Sequence, residues 1–365
     1  MLPVESSARL PAEVTTRLPA EGGWLRDWAQ NVACPKRVAR SGPLQPGPPS
    51  NQRVDSAASA GLEIQRWLQT DPTLVASGAT LVQPTVACQH VAVGTAAIVL
   101  DHLAVAMEQP SLAWPRYRDQ LGGRWASTAG VSSGFEFSQV EFAGGMKIEV
   151  LSPYDIEQND FLRRFLDHSG PGPHHLTFKV PSLGATLERC RSMGYRTVGE
   201  RRDDPNWQEA FLHPKDGAGV VIQLAQEGED DEPDPLPDAL PDALPEHWPG
   251  DPEGPSARME FVAHAVTEFH SHVRRFTELL DGRIDATGTD PALGADTMDL
   301  VWPNDARIRL LRPASPSSEL VSWLGDRHAR VHHAAFSGLA NPGSSHGERI
   351  EIAPQDNHGL RLIIT

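Results

Sequence analysis

Two stretches of this chain follow one pattern, and that repeat limits the fold more than any other feature. Leu100-Asp-His102-Leu-Ala-Val aligns with Pro173-His-His175-Leu-Thr-Phe. Lys147-Ile-Glu149-Val-Leu aligns with Val221-Ile-Gln223-Leu-Ala. The histidine and the acid or amide are 47 residues apart in the first copy and 48 in the second. Matched spacing in two copies implies a pseudo-two-fold scaffold on which four polar side chains can converge.

Each copy runs strand, helix, strands. Leu100–Ala106 alternates as a strand, and Leu112, Trp114, Tyr117 and Leu121 follow at helical spacing up to Gly122-Gly123. Gly134–Phe142 and Met146–Leu151 read as strands around the Gly144-Gly145 turn, and a short helix at Asp160–Asp167 bridges to the second copy. That copy opens with the strand His174–Val180. Its helix starts at the cap Ser182, buries Leu183, Leu187 and Cys190, and stops at Gly194. Strands at Gln208–His213 and Gly219–Ala225 complete it.

Alternation along a strand assigns faces. Leu103 and Val105 share a packing face, which leaves His102 and Ala104 opposite; Leu176 and Phe178 likewise leave His175 and Thr177 opposite. Glu149 sits between Ile148 and Val150, and Gln223 between Ile222 and Leu224. Two imidazoles, a carboxylate and an amide oxygen on one open face suit a borderline divalent ion, which could be zinc, cobalt, nickel, manganese or iron. A lone strand histidine is usually structural. Four polar groups at matched positions are expected to form a metal site: His102, Glu149, His175 and Gln223.

The stretches quoted above, with Gly172-Pro-His-His-Leu-Thr-Phe-Lys-Val and Phe211-Leu-His-Pro-Lys-Asp-Gly, resemble the vicinal oxygen chelate superfamily. Within it they are most similar to glyoxalase-like proteins and methylmalonyl-CoA epimerases. The resemblance covers about 98–226. It implies an α+β fold of paired βαβββ modules whose four metal positions are taken by His102, Glu149, His175 and Gln223. There are two departures. Epimerases and glyoxalases usually have Glu where this chain has Gln223, and epimerases carry a further Glu where it has Ser138 or Gln139.

The rest of the chain divides by composition. Residues 1–95 have scattered Pro, Gly and Ser, with a Pro-rich stretch at Gly42–Ser50 and short helices readable at Trp24–Asn31 and Gly61–Leu68; a poorly ordered extension is expected. Residues 227–257 form an acidic, Pro-rich linker. Its part from 227 to 253 holds eleven Asp or Glu and no Lys or Arg, and removing them from the formal −16 leaves −5. The acidity thus describes a spacer, and no nucleic-acid partner is expected. Cys34, Cys88 and Cys190 form no CxxC motif, and no signal sequence or spanning segment is read, so a cytoplasmic protein without membrane contact is expected.

Residues 258–365 repeat the pattern faintly, with Phe261-Val-Ala-His264, a helix at Glu268–Leu280, and Val331-His-His333. Arg309 stands at the acidic position and Ile363 at the amide position, only 30 residues beyond His333. A cation repels a metal and isoleucine offers no lone pair, so a degenerate, structural or anion-binding copy is expected.

The expected chemistry is isomerase- or lyase-type proton transfer beside a carbonyl of a small acyl or 2-oxo substrate. The metal would stabilise an enediolate, and Glu149 would be ligand and candidate base. Two alternatives stay open: a non-catalytic protein that sequesters a small molecule, and a ring-cleaving dioxygenase using ferrous iron. Whether units pair within one chain or across a homodimer also stays open.

Overall fold

The computed structural model describes residues 97–132, 134–213, 216–228, 250–339 and 349–365. The N-terminal helices and the Pro-rich stretch read from sequence lie outside these residues, as do most of the acidic linker and part of the Pro214–Gly219 turn.

The first copy supplies β1 (Val99–Ala106), a helical segment (Trp114–Gln120), β2 (Arg124–Ser132), β3 (Phe135–Glu141) and β4 (Lys147–Pro153). Helix Phe161–Ser169 leads to the second copy: β5 (Gly172–Lys179), helix Leu183–Ser192, β6 (Thr197–Arg201), β7 (Trp207–Leu212) and β8 (Val221–Glu227). Helix Leu183–Ser192 begins where expected, with the Ser182 hydroxyl accepting from Ala185 N at 3.2 Å. The eight strands form one sheet in the order β2-β3-β4-β1-β5-β8-β7-β6. Each unit therefore places its first strand parallel to its last, and the two first strands meet antiparallel at the centre. The units pair within one chain.

A second sheet repeats this plan from β9 (Arg258–Val266), β10 (Arg283–Asp290), β11 (Ala295–Val301), β12 (Arg307–Pro313), β13 (Ala329–Ser337), β14 (Ile350–Ile352) and β15 (Arg361–Ile364). Its order is β10-β11-β12-β9-β13-β15-β14, again with an antiparallel central pair. Helical residues His270–Arg274 and Arg275–Leu279 occupy the stretch expected at Glu268–Leu280.

Two edge strands of the first sheet, β2 and β6, carry no sequence signal of their own. An edge strand in a half-exposed setting need not alternate strongly, and Thr197–Arg201 has no buried residue.

One face of each sheet packs into a shared apolar core. Leu103, Val105, Ile148, Val150, Leu176, Phe178, Ile222 and Leu224 enter it from the first sheet, with Val262, Ile308, Leu310, Phe336 and Leu362 from the second. The Phe142 and Phe336 rings meet at 4.9 Å and those of Phe178 and Trp302 at 5.2 Å. The opposite face of the first sheet is lined by Ala104, Ala106 and Leu151 and packs against Phe161, Phe165 and Phe211.

The register corrects one alignment. In the first sheet Ala104 opposes His175 and Glu149; in the second, Ala263 opposes His333 and Arg309. The residue two before Ala263 is Phe261, which therefore takes the place of His102. His264 points the other way, toward the shared core, and its Nε2 hydrogen-bonds the Ala218 carbonyl. Arg309 and Ile363 do stand where Glu149 and Gln223 stand, since Ala335 opposes Ile363 as Thr177 opposes Gln223.

Gly219 marks a close approach between the halves. Its φ is +74°, and a Cβ added there would lie 2.0 Å from the Ala329 carbonyl oxygen. A Gly219→Ala substitution is expected to cost roughly 2 kcal/mol or more of unfolding free energy, measured by denaturant titration. His264 generates a second expectation. Burial, aided by nearby His272 and Arg275, lowers its imidazole to about 3. The unfolded chain takes up a proton there that the native state does not, so stability is full above about pH 6.5 and falls with acidification. This residue alone should remove about 1.4 kcal/mol per pH unit below that point. Denaturation curves at pH 7 and pH 5 should therefore converge in a folded His264→Gln variant relative to wild type.

Candidate metal centre

The four central strands of the first sheet, β4-β1-β5-β8, each contribute one of the four expected groups. His102 is on β1, Glu149 on β4, His175 on β5 and Gln223 on β8, and all four are buried. Glu149 Oε2 is 3.4 Å from His102 Nε2 and 3.3 Å from His175 Nε2. One ligand atom from each of the three residues lies within 4.8 Å of the others, and no other such group occurs among the described residues. Gln223 joins through Thr177, whose Oγ1 lies 2.6 Å from Gln223 Oε1 and 2.7 Å from His102 Nε2.

Neighbouring side chains orient these groups. A bulge between Leu100 and His102 turns Asp101 so that its Oδ2 meets His102 Nδ1 at 2.7 Å. That contact keeps a proton on Nδ1 and aims Nε2 toward Glu149 Oε2, the usual support of a ligating histidine. Burial opposes charge on Asp101, but the His102 contact and Lys147 and Lys179 outweigh it and hold the carboxyl far below its usual range. His175 Nδ1 lies 2.9 Å from His174 Nδ1. Burial, helped by His175, lowers His174 to about 3, so it is neutral and can accept a proton bond from its neighbour. Gln139 settles the choice left open on β3. It pairs with Glu149 in register and donates from Nε2 to Glu149 Oε1 at 3.1 Å, whereas Ser138 points to the other face of the sheet.

The donor set fits a divalent ion on three observations. Ligands about 2.1 Å from a common ion are about 3.0–3.4 Å from each other, which is the separation between Glu149 Oε2 and the two imidazole nitrogens. His175 Nε2 is buried and makes no hydrogen bond of acceptable geometry. The buried Glu149 carboxylate needs a positive charge beside it, which the His102 imidazolium supplies in the metal-free chain and a bound ion would supply in its place as that proton leaves. Burial works against charge on both partners, yet Glu149 and Asp101 raise His102 to about 9, and the two histidines hold Glu149 far below its usual range. Asp101, Thr177 and Gln139 thus belong to the site although the repeat did not single them out as functional. A further carboxylate, Glu209, approaches Gln223 from β7.

Residues 101–211 match the model of the glyoxalase/bleomycin resistance protein/dioxygenase superfamily. Over 131 residues the chain is 28% identical to mitochondrial methylmalonyl-CoA epimerase of Mus musculus, covering 35% of this chain and 72% of that protein. It is 27% identical over 131 residues to ethylmalonyl-CoA/methylmalonyl-CoA epimerase of Cereibacter sphaeroides, covering 35% of this chain and 96% of the other. The crystal structure of methylmalonyl-CoA epimerase from Mycobacterium tuberculosis matches at 30% identity over 38% of this chain and 93% of that one, with a TM-score of 0.33.

Titration of metal-free protein with cobalt(II), followed by its visible absorption, is expected to show one site per chain. His102→Ala and His175→Ala should each weaken binding by at least about 100-fold, the upper end of the loss seen for supporting residues. Unchanged cobalt binding in both variants would place the ion elsewhere.

Proposed function

Because the chain belongs, through residues 101–211, to the glyoxalase/bleomycin resistance protein/dioxygenase superfamily, we propose that its first sheet carries a metal-dependent epimerase moving a proton at a carbon beside a carbonyl. The substrate class is a small acyl thioester or 2-oxo compound, and the CoA thioesters named for the curated relatives are the first to test. One observation carries this reading: one ligand atom from each of His102, Glu149 and His175 lies within 4.8 Å of the others, on the face of the sheet away from the shared core.

His102, His175, Glu149 and Gln223 would hold the ion. When bound, it supplies a fixed positive charge for the negative charge that develops on a carbonyl oxygen as the adjacent C–H is broken. Asp101 and His174 keep the two imidazoles turned with Nε2 toward that point. Glu149, held ionised by its histidine neighbours, is ligand and candidate proton acceptor; its Oε1 is steadied by Gln139. Phe137, Phe161, Phe165 and Phe211 line the same face and exclude water from it. The region 98–226 is the catalytic unit in this proposal, and 258–365 is a degenerate copy that stabilises it through the shared core.

A second reading has an observation of its own. Two histidines and one carboxylate are also the set used by non-haem ferrous oxygenases, although the ring-cleaving enzymes of this fold normally take that carboxylate from the last strand, where this chain has Gln223. Iron content and oxygen consumption with a catechol substrate separate the two.

The direct test is solvent deuterium incorporation into methylmalonyl-CoA by metal-loaded protein. Wild type should exchange the α-hydrogen, with Glu149→Gln and His102→Ala slower by about 100-fold or more. Wild-type exchange in both variants, or none by metal-loaded wild type with either acyl thioesters or 2-oxo acids, would contradict the epimerase reading.

A further inference from the structure

Glu209 stands beside the cluster without occupying any of the four ligand positions. It lies on β7 two residues before Phe211, which opposes Gln223 across the ladder. Its carboxylate is buried, with Oε2 accepting from Gln223 Nε2 at 2.7 Å and from Trp207 Nε1 at 3.0 Å. Arg201 approaches Oε1 at 3.3 Å. On the far side of the same amide, Gln223 Oε1 accepts from Thr177 Oγ1. A continuous path of hydrogen bonds thus runs from Asp101 through His102, Thr177 and Gln223 to Glu209.

A glutamine side chain can present either its oxygen or its NH2 to a neighbour, because the two orientations have almost the same shape. Only the oxygen can ligate a metal, so a glutamine ligand is useful only if one orientation is imposed. An ionised carboxylate accepts hydrogen bonds and donates none. Facing Glu209, Gln223 must therefore turn its NH2 outward, which leaves Oε1 toward Thr177, the residue that also meets His102 Nε2. The reverse orientation would set two oxygens against each other at hydrogen-bond distance and aim N–H groups at a cation. Resting on the metal-centre reading above, we infer that Glu209 is the positioning residue that holds Gln223 as an oxygen ligand. The charge-assisted bond also draws electron density toward the amide oxygen and makes it a better donor to the ion. The carboxylate missing from β8 is thus restored one side chain further out, on β7. Arg201 and Trp207 hold it there.

Cobalt(II) titration of wild type, Glu209→Gln and the exchanged double variant Glu209→Gln/Gln223→Glu tests this, with a metal-free readout beside it. An amide at 209 can donate as well as accept and no longer selects one orientation, so the single variant should bind cobalt about 10-fold more weakly or worse. The double variant puts the carboxylate in the ligand position and should regain about wild-type affinity, a rescue that a merely structural role for Glu209 would not produce. In metal-free protein the side-chain amide resonances of Gln223, assigned by their loss in Gln223→Ala, should move in Glu209→Gln. Wild-type cobalt affinity in the single variant, or failure of the double variant to recover, would overturn the inference. If wild type takes up no cobalt, the metal-centre reading fails. The amide resonances then decide the orientation alone: a shift supports the hold of Glu209 on Gln223, and unmoved resonances overturn it.

Discussion

The antiparallel pairing of β1 with β5 is the constraint on which the site depends. Its register sets Ala104 opposite His175 and His102 opposite Thr177, so both imidazoles fall on one face of the sheet. Because β4 runs parallel to β1 and β8 parallel to β5, Glu149 and Gln223 arrive on that same face from outside. A slip of one residue at the centre would turn a histidine into the apolar core and break the cluster. The core is what prevents the slip: Leu103, Val105, Leu176 and Phe178 are all fully buried on the other face.

The second sheet shows the same frame without the polar cluster. Phe261, Arg309 and Ile363 stand where the first sheet has His102, Glu149 and Gln223, and only His333 keeps its place. Arg309 spends its charge on Asp299, with nitrogen–oxygen contacts of 2.6 and 2.7 Å, and its guanidinium stacks 4.0 Å from the Phe261 ring. A duplicated fold has thus kept its packing face on both sheets and its polar cluster on one. The packing face is shared between them, and losing it would expose a large apolar surface.

How much was legible in the sequence follows from which signals repeat. The four ligand candidates could be read because each has a partner at a matched spacing and each alternates with buried aliphatics. Asp101 could not, since it reaches the face of His102 only through a bulge that no local residue marks. Glu209 had no partner to expose it: the equivalent place in the first copy is Phe137, which faces Leu151 as Glu209 faces Ala225. His264 misled because a histidine on the first strand of a copy resembles His102 until the register fixes which neighbour opposes His333. The edge strands β2 and β6 were missed because little of the apolar pattern that reports burial reaches a sheet's rim.

The convergence of the four groups on a single ion is tested most directly by X-ray absorption spectroscopy of the cobalt-loaded protein. The coordination sphere should contain two imidazole nitrogens and oxygen donors, and the imidazole scattering should fall by about half in His175→Ala. A cobalt sphere of oxygen donors alone, with no imidazole scattering, would contradict the site.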